Sequence, residues 1–562
     1  RQAHPEPMNN LAELLQQWLH EPDRLLYRQY MEGSWCDYSV ADTVALVARW
    51  QAGYSAAGLQ PGDRVAICMH NNIQWVAADL AALGLGLVVV PLYVDDNPEN
   101  LVWCLQDSGA KLLLTDHLRF LPKLLQTLAE LPQIVVARGD PIAPSISLEQ
   151  WLPERGKNTG AFQINSHQAE RLATIVYTSG TLGRPKGVML SHRNILSNVQ
   201  GILDAWEIYG VDRLLSVLPL SHMFERTGGY YLPLRAGAQV VYCRGISELA
   251  RDMLEQQPTV IMAVPRLFER MLTGIDKRLA KAPVKYLLLH QAAMAGWRRF
   301  KGQPQWFDLI IVALWYDRIA RQVQQRLGGH IRMVVVGGAA LNERVAKFFI
   351  GLGVSLLQGY GLTEASPVVA VNREASNDPA SVGEPLPGCV VKLSEQSELL
   401  VRGPGVMLGY WNNPQATQQM IDPAGWLNTG DIVEIHDKRI YIRGRSKNIL
   451  VLSNGEKIAP EDVEKAVLAD PVFQQVMLIG EAKPCLVLLV VSAEKDEREL
   501  LKRANAQIGH LPRHARIRRI ILSSEEWTSG NGLLTPTLKI KRAAVYQYYL
   551  PSIEAVYREI VG

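Results

Sequence analysis

Short apolar strands alternate with amphipathic helices through the first three quarters of this sequence, and that alternation leaves few folds open. GDRVAICM reads as a buried strand, VAADLAALGLG as a helix and LVVVPLYV as the next strand, with NPENLVWCLQDSG and AKLLLTD continuing the rhythm. Strands apolar on both faces and separated by helix-length segments belong to parallel sheets wrapped in helices, since a parallel connection needs a long crossover. PTVIMAVP, IRMVVVGGAAL and GVSLLQGYG are further buried strands, each ending in small residues. Such sheets bind ligands at the carboxyl ends of their strands, so those loops are where chemistry is expected. NNLAELLQQWL and DTVALVARWQAGYSAAGL read as flanking helices.

From about Ser394 the pattern changes. SELLVRG, DIVEIHDKRIYIRG and NILVLSNGEKI are short strands joined by turns. A small α/β unit follows, with EDVEKAVLAD a helix, CLVLLVVSA and ARIRRIILSS strands, and a helical end. A chain of 562 residues exceeds one ordinary core. The change near Arg445 to Asn448 divides it into an N-terminal domain, residues 1–446, and a C-terminal domain, residues 447–562.

The composition, 48% hydrophobic and 20% charged with a net charge of +3, is that of a soluble protein and carries no nucleic-acid footprint. The basic run Arg513 to Arg519 reads as a solvated face. Six cysteines lack metal or CxxC spacing and mostly neighbour apolar residues, which predicts reduced, buried thiols and a cytoplasmic protein. No secretion signal is visible at the start, and the apolar stretch Leu80 to Val94 is too short to span a bilayer. WFDLIIVALWYDRIARQVQQRL, from Trp306, is apolar and then basic. It reads as a core-facing helix, with peripheral contact at the inner face of a membrane as the lesser reading.

The most informative segment is Thr174 to Asn194, TIVYTSGTLGRPKGVMLSHRN. A strand runs into a loop of Thr, Ser and Gly with one lysine, a set of donors and charge suited to phosphate. Lys186 is followed by Gly187, so this is not a Walker A loop. The whole string resembles the phosphate loop of the acyl-adenylate-forming superfamily. LPLSHMFER, VPRLFERM, VVVGGAAL, QGYGLTEASP, GWLNTGDIVEI, YIRGRSKN, NGEKIAPEDVE and NGLLTPTLKIKR follow in the order such a chain requires, and VPRLFERM and the last motif resemble the long-chain acyl-CoA synthetase branch.

That resemblance implies an α/β fold: two parallel-sheet subdomains and a β-rich one, with a small mobile α+β lid. It implies ATP contacts from Thr178, Ser179, Gly180, Thr181, Gly183, Lys186, Gly338, Ala339, Gln358 and Gly359. Tyr360 is expected to stack on adenine, Thr363 to touch the α-phosphate, Glu364 to hold magnesium, and Asp431 and Arg445 to bind ribose and phosphate. His222 falls beside the acyl pocket, Lys447 at the hinge and Gly455 along the thiol channel; Lys539 is the catalytic lysine. Taken alone, His222 reads as a core histidine, GLTE as a helix start and Lys539 as solvated surface.

The implied reaction is activation of a medium- or long-chain fatty acid by ATP, through acyl-AMP, with transfer to coenzyme A. An acyl carrier protein as acceptor is the main alternative. LSHMFERTGGYY holds no Asp for a substrate amine, which disfavours an amino acid. A luciferase-type enzyme is set aside only by branch resemblance, and a non-catalytic sensor is disfavoured by intact Lys539, Glu364 and Asp431.

Overall fold

The computed structural model describes residues 8–154, 160–165, 167–178, 184–311, 315–339, 341–454, 456–511, 515–523, 525–535 and 538–561. Among these, two large mixed sheets form the centre. The nine-stranded sheet has a parallel interior of Leu356–Gly361, Met333–Val336, Val260–Ala263, Arg213–Ser216, Gln239–Tyr242 and Leu25–Met31. The eight-stranded sheet has Leu172–Thr178, Val88–Pro91, Arg64–Cys68, Leu112–Thr115, Gln133–Val136 and Ile146–Ser147 in parallel. The parallel expectation thus holds for both interiors, while the edge strand Ser34–Ser39 and the next-to-edge strands Val368–Val371 and Lys186–Ser191 run antiparallel to their inner neighbours. An antiparallel neighbour needs no long crossover, so a strand can be added that way after a short connection.

A four-stranded antiparallel sheet follows (Val390–Leu393, Glu398–Arg402, Leu427–His436, Arg439–Arg445), as the change of pattern near Ser394 indicates. The C-terminal unit is built on Phe473–Ile479, Leu486–Ser492 and Ile517–Leu522, with helices Pro460–Leu468 and Glu497–Gln507 against them. Its apolar clusters contain only residues from Leu450 onward, whereas the clusters of the rest of the chain end by Ile442.

Two expectations need correction. NNLAELLQQWL forms only the single helical turn Glu13–Gln16, yet Leu11, Leu14 and Leu15 are fully buried. The apolar spacing there reported burial, not helix length. The segment from Trp306 is not simply core-facing: Trp306 and Trp315 are exposed, and helix Asp317–Arg326 buries no residue. All six cysteines are free thiols, but only Cys68 and Cys104 are buried and the other four are half-buried. Among the described residues no helix is long and apolar enough to cross a membrane.

Helix Ile73–Gly84 lies between the two large sheets. Asn72 caps it by accepting from the Gln74 and Trp75 amides, and every helix residue but Gln74 is buried. A helix apolar all round must be enclosed, so its single charge, Asp79, requires a partner. Arg226 supplies it; both side chains are wholly inaccessible to water. Tyr230 Oη (3.0 Å) and Tyr231 Oη (2.7 Å) also donate to Asp79, and Arg226 Nη1 donates to Thr174 Oγ1 at 2.8 Å. The segment Arg226–Tyr231 is a π-helical turn, wider than an α-helix, and it turns both tyrosines toward the aspartate.

Arg226→Ala would leave Asp79 buried without its counter-charge. Urea unfolding is expected to show a loss of about 3–5 kcal/mol; a loss below about 1 kcal/mol would mean that water or another cation replaces the pair.

Candidate active site

Two parallel strands of the nine-stranded sheet end at or beside several of the residues singled out in the sequence. Strand Met333–Val336 runs into Gly337, Gly338 and Ala339; Gly338 has φ +84°, a left-handed conformation that favours glycine. Phe224 packs on the side where Gly337 lacks a Cβ. Strand Leu356–Gly361 carries Gln358, Gly359 and Tyr360. It begins parallel to its neighbour and ends antiparallel to Val368–Val371, which turns its last residues out of the sheet interior. A Cβ on Gly361 would stand 1.9 Å from the Pro367 carbonyl oxygen, so only glycine fits.

Thr363 and Glu364 follow in a 3₁₀ turn. The Glu364 carboxylate accepts from Tyr410 Oη at 2.7 Å, and its backbone carbonyl accepts from the Met407 amide at 2.8 Å. Lys186 pairs in register with Thr178, and its Nζ sits 5.2 Å from the Tyr410 ring centroid. Tyr410 therefore joins Lys186 to the turn carrying Glu364. Ser179, Gly180, Thr181 and Gly183, between Thr178 and Lys186, lie outside the described residues, as does Gly455.

Asp431 is buried opposite Arg445 on paired strands. One carboxylate oxygen accepts from Arg445 Nε at 2.9 Å and the other from Tyr360 Oη. Lys447 is exposed in the turn Ser446–Asn448, next to the point where Asn448 Nδ2 donates to Glu461 of the first C-terminal helix at 2.6 Å.

Lys539 belongs to the C-terminal unit. It is held on a tight loop in which its amide donates to Thr535 Oγ1 (3.0 Å) and its carbonyl accepts from the Thr535 amide (2.7 Å). That loop brings it into the cleft with Arg445, Asp431 and Glu364. Lys539 keeps contact with water, yet the protein around the cleft, followed by the Arg445 charge, pushes its ammonium down to about 8; Asp431 and Glu364 pull the other way. His222 faces the same cleft. Its Nδ1 accepts from the Phe224 amide at 3.2 Å, and burial, with the Lys539 charge added, pushes the imidazole down to about 3, so it is neutral. Three residues on, burial pushes Glu225 up to about 8, although Ser216 Oγ donates to it at 2.6 Å.

The units touch through polar contacts. Arg266 Nη1 donates to the Gln474 carbonyl at 3.0 Å, Asn342 Nδ2 donates to the Leu468 carbonyl at 3.1 Å, and Arg270 lies 3.7 Å from Glu526. Sequence reasoning overlooked Tyr410, which GYWNNP does not mark, and Asp79 with Arg226, which it could have found. A lone acid in an apolar helix is itself a signal.

Arg445→Gln removes one cation beside Lys539, so its ammonium is expected to titrate higher. Competitive labelling of Lys539 across pH checks this; a lower or unmoved midpoint would contradict the arrangement.

The AMP-binding enzyme family matches residues 15–411, and the AMP-binding enzyme C-terminal domain matches residues 447–561. A long-chain-fatty-acid–CoA ligase of Mycobacterium bovis is 30% identical over 96% of this chain and 95% of its own length. A long-chain-fatty-acid–[acyl-carrier-protein] ligase of Arabidopsis thaliana is 27% identical, covering 90% of this chain and 80% of its own. The adenylation domain of a carboxylate reductase from Mycobacterium chelonae shares the fold, with a TM-score of 0.80 at 20% identity over 99% of this chain and 92% of that one. Matched from the strands of both sheets to the lysine of its terminal unit, the chain belongs to the AMP-binding enzyme family.

Proposed function

We propose that this chain activates a medium- or long-chain fatty acid with ATP, through acyl-AMP, and passes the acyl group to coenzyme A, releasing AMP and pyrophosphate. The observation that supports this most is the placement of Lys539 by the C-terminal unit beside Arg445, Asp431 and Glu364. The names of the relatives supply the acid and the thiol. The long-chain-fatty-acid–[acyl-carrier-protein] ligase among them keeps a carrier protein as the second acceptor to test.

A carboxylate is a poor electrophile because hydroxide leaves badly. Its oxygen attacks the α-phosphorus, pyrophosphate departs, and the carbonyl then carries AMP as leaving group. The protein aligns two anions and neutralises the charge that develops between them. Lys539 contacts the α-phosphate and the acid, with Thr363 as donor. Thr178 and Lys186, with Ser179, Gly180, Thr181 and Gly183, hold the remaining phosphates. Gly338, Ala339, Gln358, Gly359 and the Tyr360 face take adenine, and Asp431 with Arg445 takes ribose. Neutral His222 borders the acid. Glu364 suits Mg2+, which takes one or two carboxylates and completes its shell with substrate phosphate and water. Its orientation by Tyr410 Oη fits that role. When bound, the ion neutralises phosphate charge.

On this reading residues 1–446 form the adenylation domain. Residues 447–562 are a lid that turns about Lys447, withdrawing Lys539 and bringing Gly455 beside the incoming thiol. Six free thiols suit a reducing cytoplasm.

Pyrophosphate release is measured with acids from acetate to oleate, with and without coenzyme A. A CoA-stimulated signal peaking at long chains is expected; release indifferent to CoA would move the acceptor to a carrier protein, and silence with every acid would sink the proposal. Lys539→Ala should nearly abolish adenylation while sparing thioester formation from supplied acyl-AMP. Lys447→Pro should do the reverse, and equal loss of both half-reactions in either variant would remove its assigned role.

A further inference from the structure

The chain's charge is unevenly distributed. Residues 265–326 hold 12 Lys and Arg against 4 Asp and Glu, a net of +8 in a chain that totals +3, so the remainder is −5. These residues form helices Pro265–Leu279, Pro283–Phe300, Trp306–Ile311 and Asp317–Arg326. Their few acids are largely occupied: Asp276 by Arg344 and His290, and Asp308 by Arg298. Lys277, Arg278, Lys281 and Lys285 have no ion-pair partner among the described residues.

Large apolar side chains stand exposed among those cations. Val284 is 69% exposed, Leu287 57% and Trp306 76%, with Tyr286, Phe300 and Trp315 also open. From Lys277 to Leu289 the sequence reads KRLAKAPVKYLLL, so Lys, Arg and Tyr are its only polar residues. A directional protein partner needs acceptors and neutral donors to pair with, whereas a lipid surface asks only for cations beside apolar area. Tryptophan likewise suits the boundary between headgroups and acyl chains. The opposite, inner side of helix Pro283–Phe300 is fixed to the body of the protein. A Cβ on Gly296 would stand 1.8 Å from the Gly351 carbonyl oxygen, so the two backbones touch and the outer side stays outward.

We propose that helices Pro265–Leu279 and Pro283–Phe300, with Trp306, form a docking face for an anionic lipid surface. Helix Pro265–Leu279 connects this face to the cleft. Arg266 and Arg270, in its first turns, meet Gln474 and Glu526 of the C-terminal unit, while Lys277 and Arg278 end it about 20 Å away.

The test sediments the full chain, without ATP, acid or thiol, with vesicles of phosphatidylcholine alone and with vesicles containing about a quarter phosphatidylglycerol. Sedimentation with the anionic vesicles, reversed by salt, is expected. Lys281→Gln with Lys285→Gln should weaken it about 25-fold, about fivefold for each charge. Val284→Ser with Leu287→Ser should weaken it without changing the far-ultraviolet circular dichroism spectrum. The proposal is overturned if anionic vesicles leave the chain in solution, or if both double variants sediment as the parent does. It is also overturned if the substitutions instead abolish self-association or capture of an acidic carrier protein. Because no substrate is present, the result is independent of whether the proposed reaction is correct.

Discussion

The contact between Arg226 and Asp79 fixes how the two large sheets meet. Two charges removed from water gain stability only when their remaining hydrogen-bonding capacity is met. Here Tyr230, Tyr231 and Thr174 meet most of it, although Arg226 Nε finds no partner. The partners come from the interlayer helix, from strand Leu172–Thr178 and from the π-helical turn after His222. One buried cation thus sets strand Leu172–Thr178 and the segment after His222 relative to each other. Apolar packing alone would tolerate sliding between these elements, whereas a hydrogen-bonded pair has one geometry.

Much of this was legible in the sequence, and the reasons differ by element. GDRVAICM, LVVVPLYV and IRMVVVGGAAL could be read because a strand covered on both faces has no polar positions to spare. The loops after them marked the site because strand ends are where backbone donors are open. The pairing of Tyr360 with Asp431 and Arg445 was foreshadowed only by separate motifs; that they share hydrogen bonds depends on register between distant strands, which local pattern does not encode. Tyr410 was missed for the same reason. Trp306 misled because a helix that offers apolar residues outward has the same period as one that offers them inward.

The cleft gathers charges of both signs around Lys539. Enclosure by protein lowers the Lys539 ammonium most, the Arg445 charge lowers it further, and Asp431 and Glu364 oppose both. An anion placed beside Lys539 would favour its charged form. The neutral His222 beside them adds no competing charge on the acid's side.

The contacts described between the C-terminal unit and the rest of the chain include hydrogen bonds and a water-exposed ion pair, and no apolar cluster of the described residues spans them. Contacts of that kind exchange for water at little net cost. Dissolved ions screen them over about 8–10 Å at ordinary ionic strength. The salt content of the surrounding solution therefore acts as a bias on the posture of the C-terminal unit, and it does so without loosening either core.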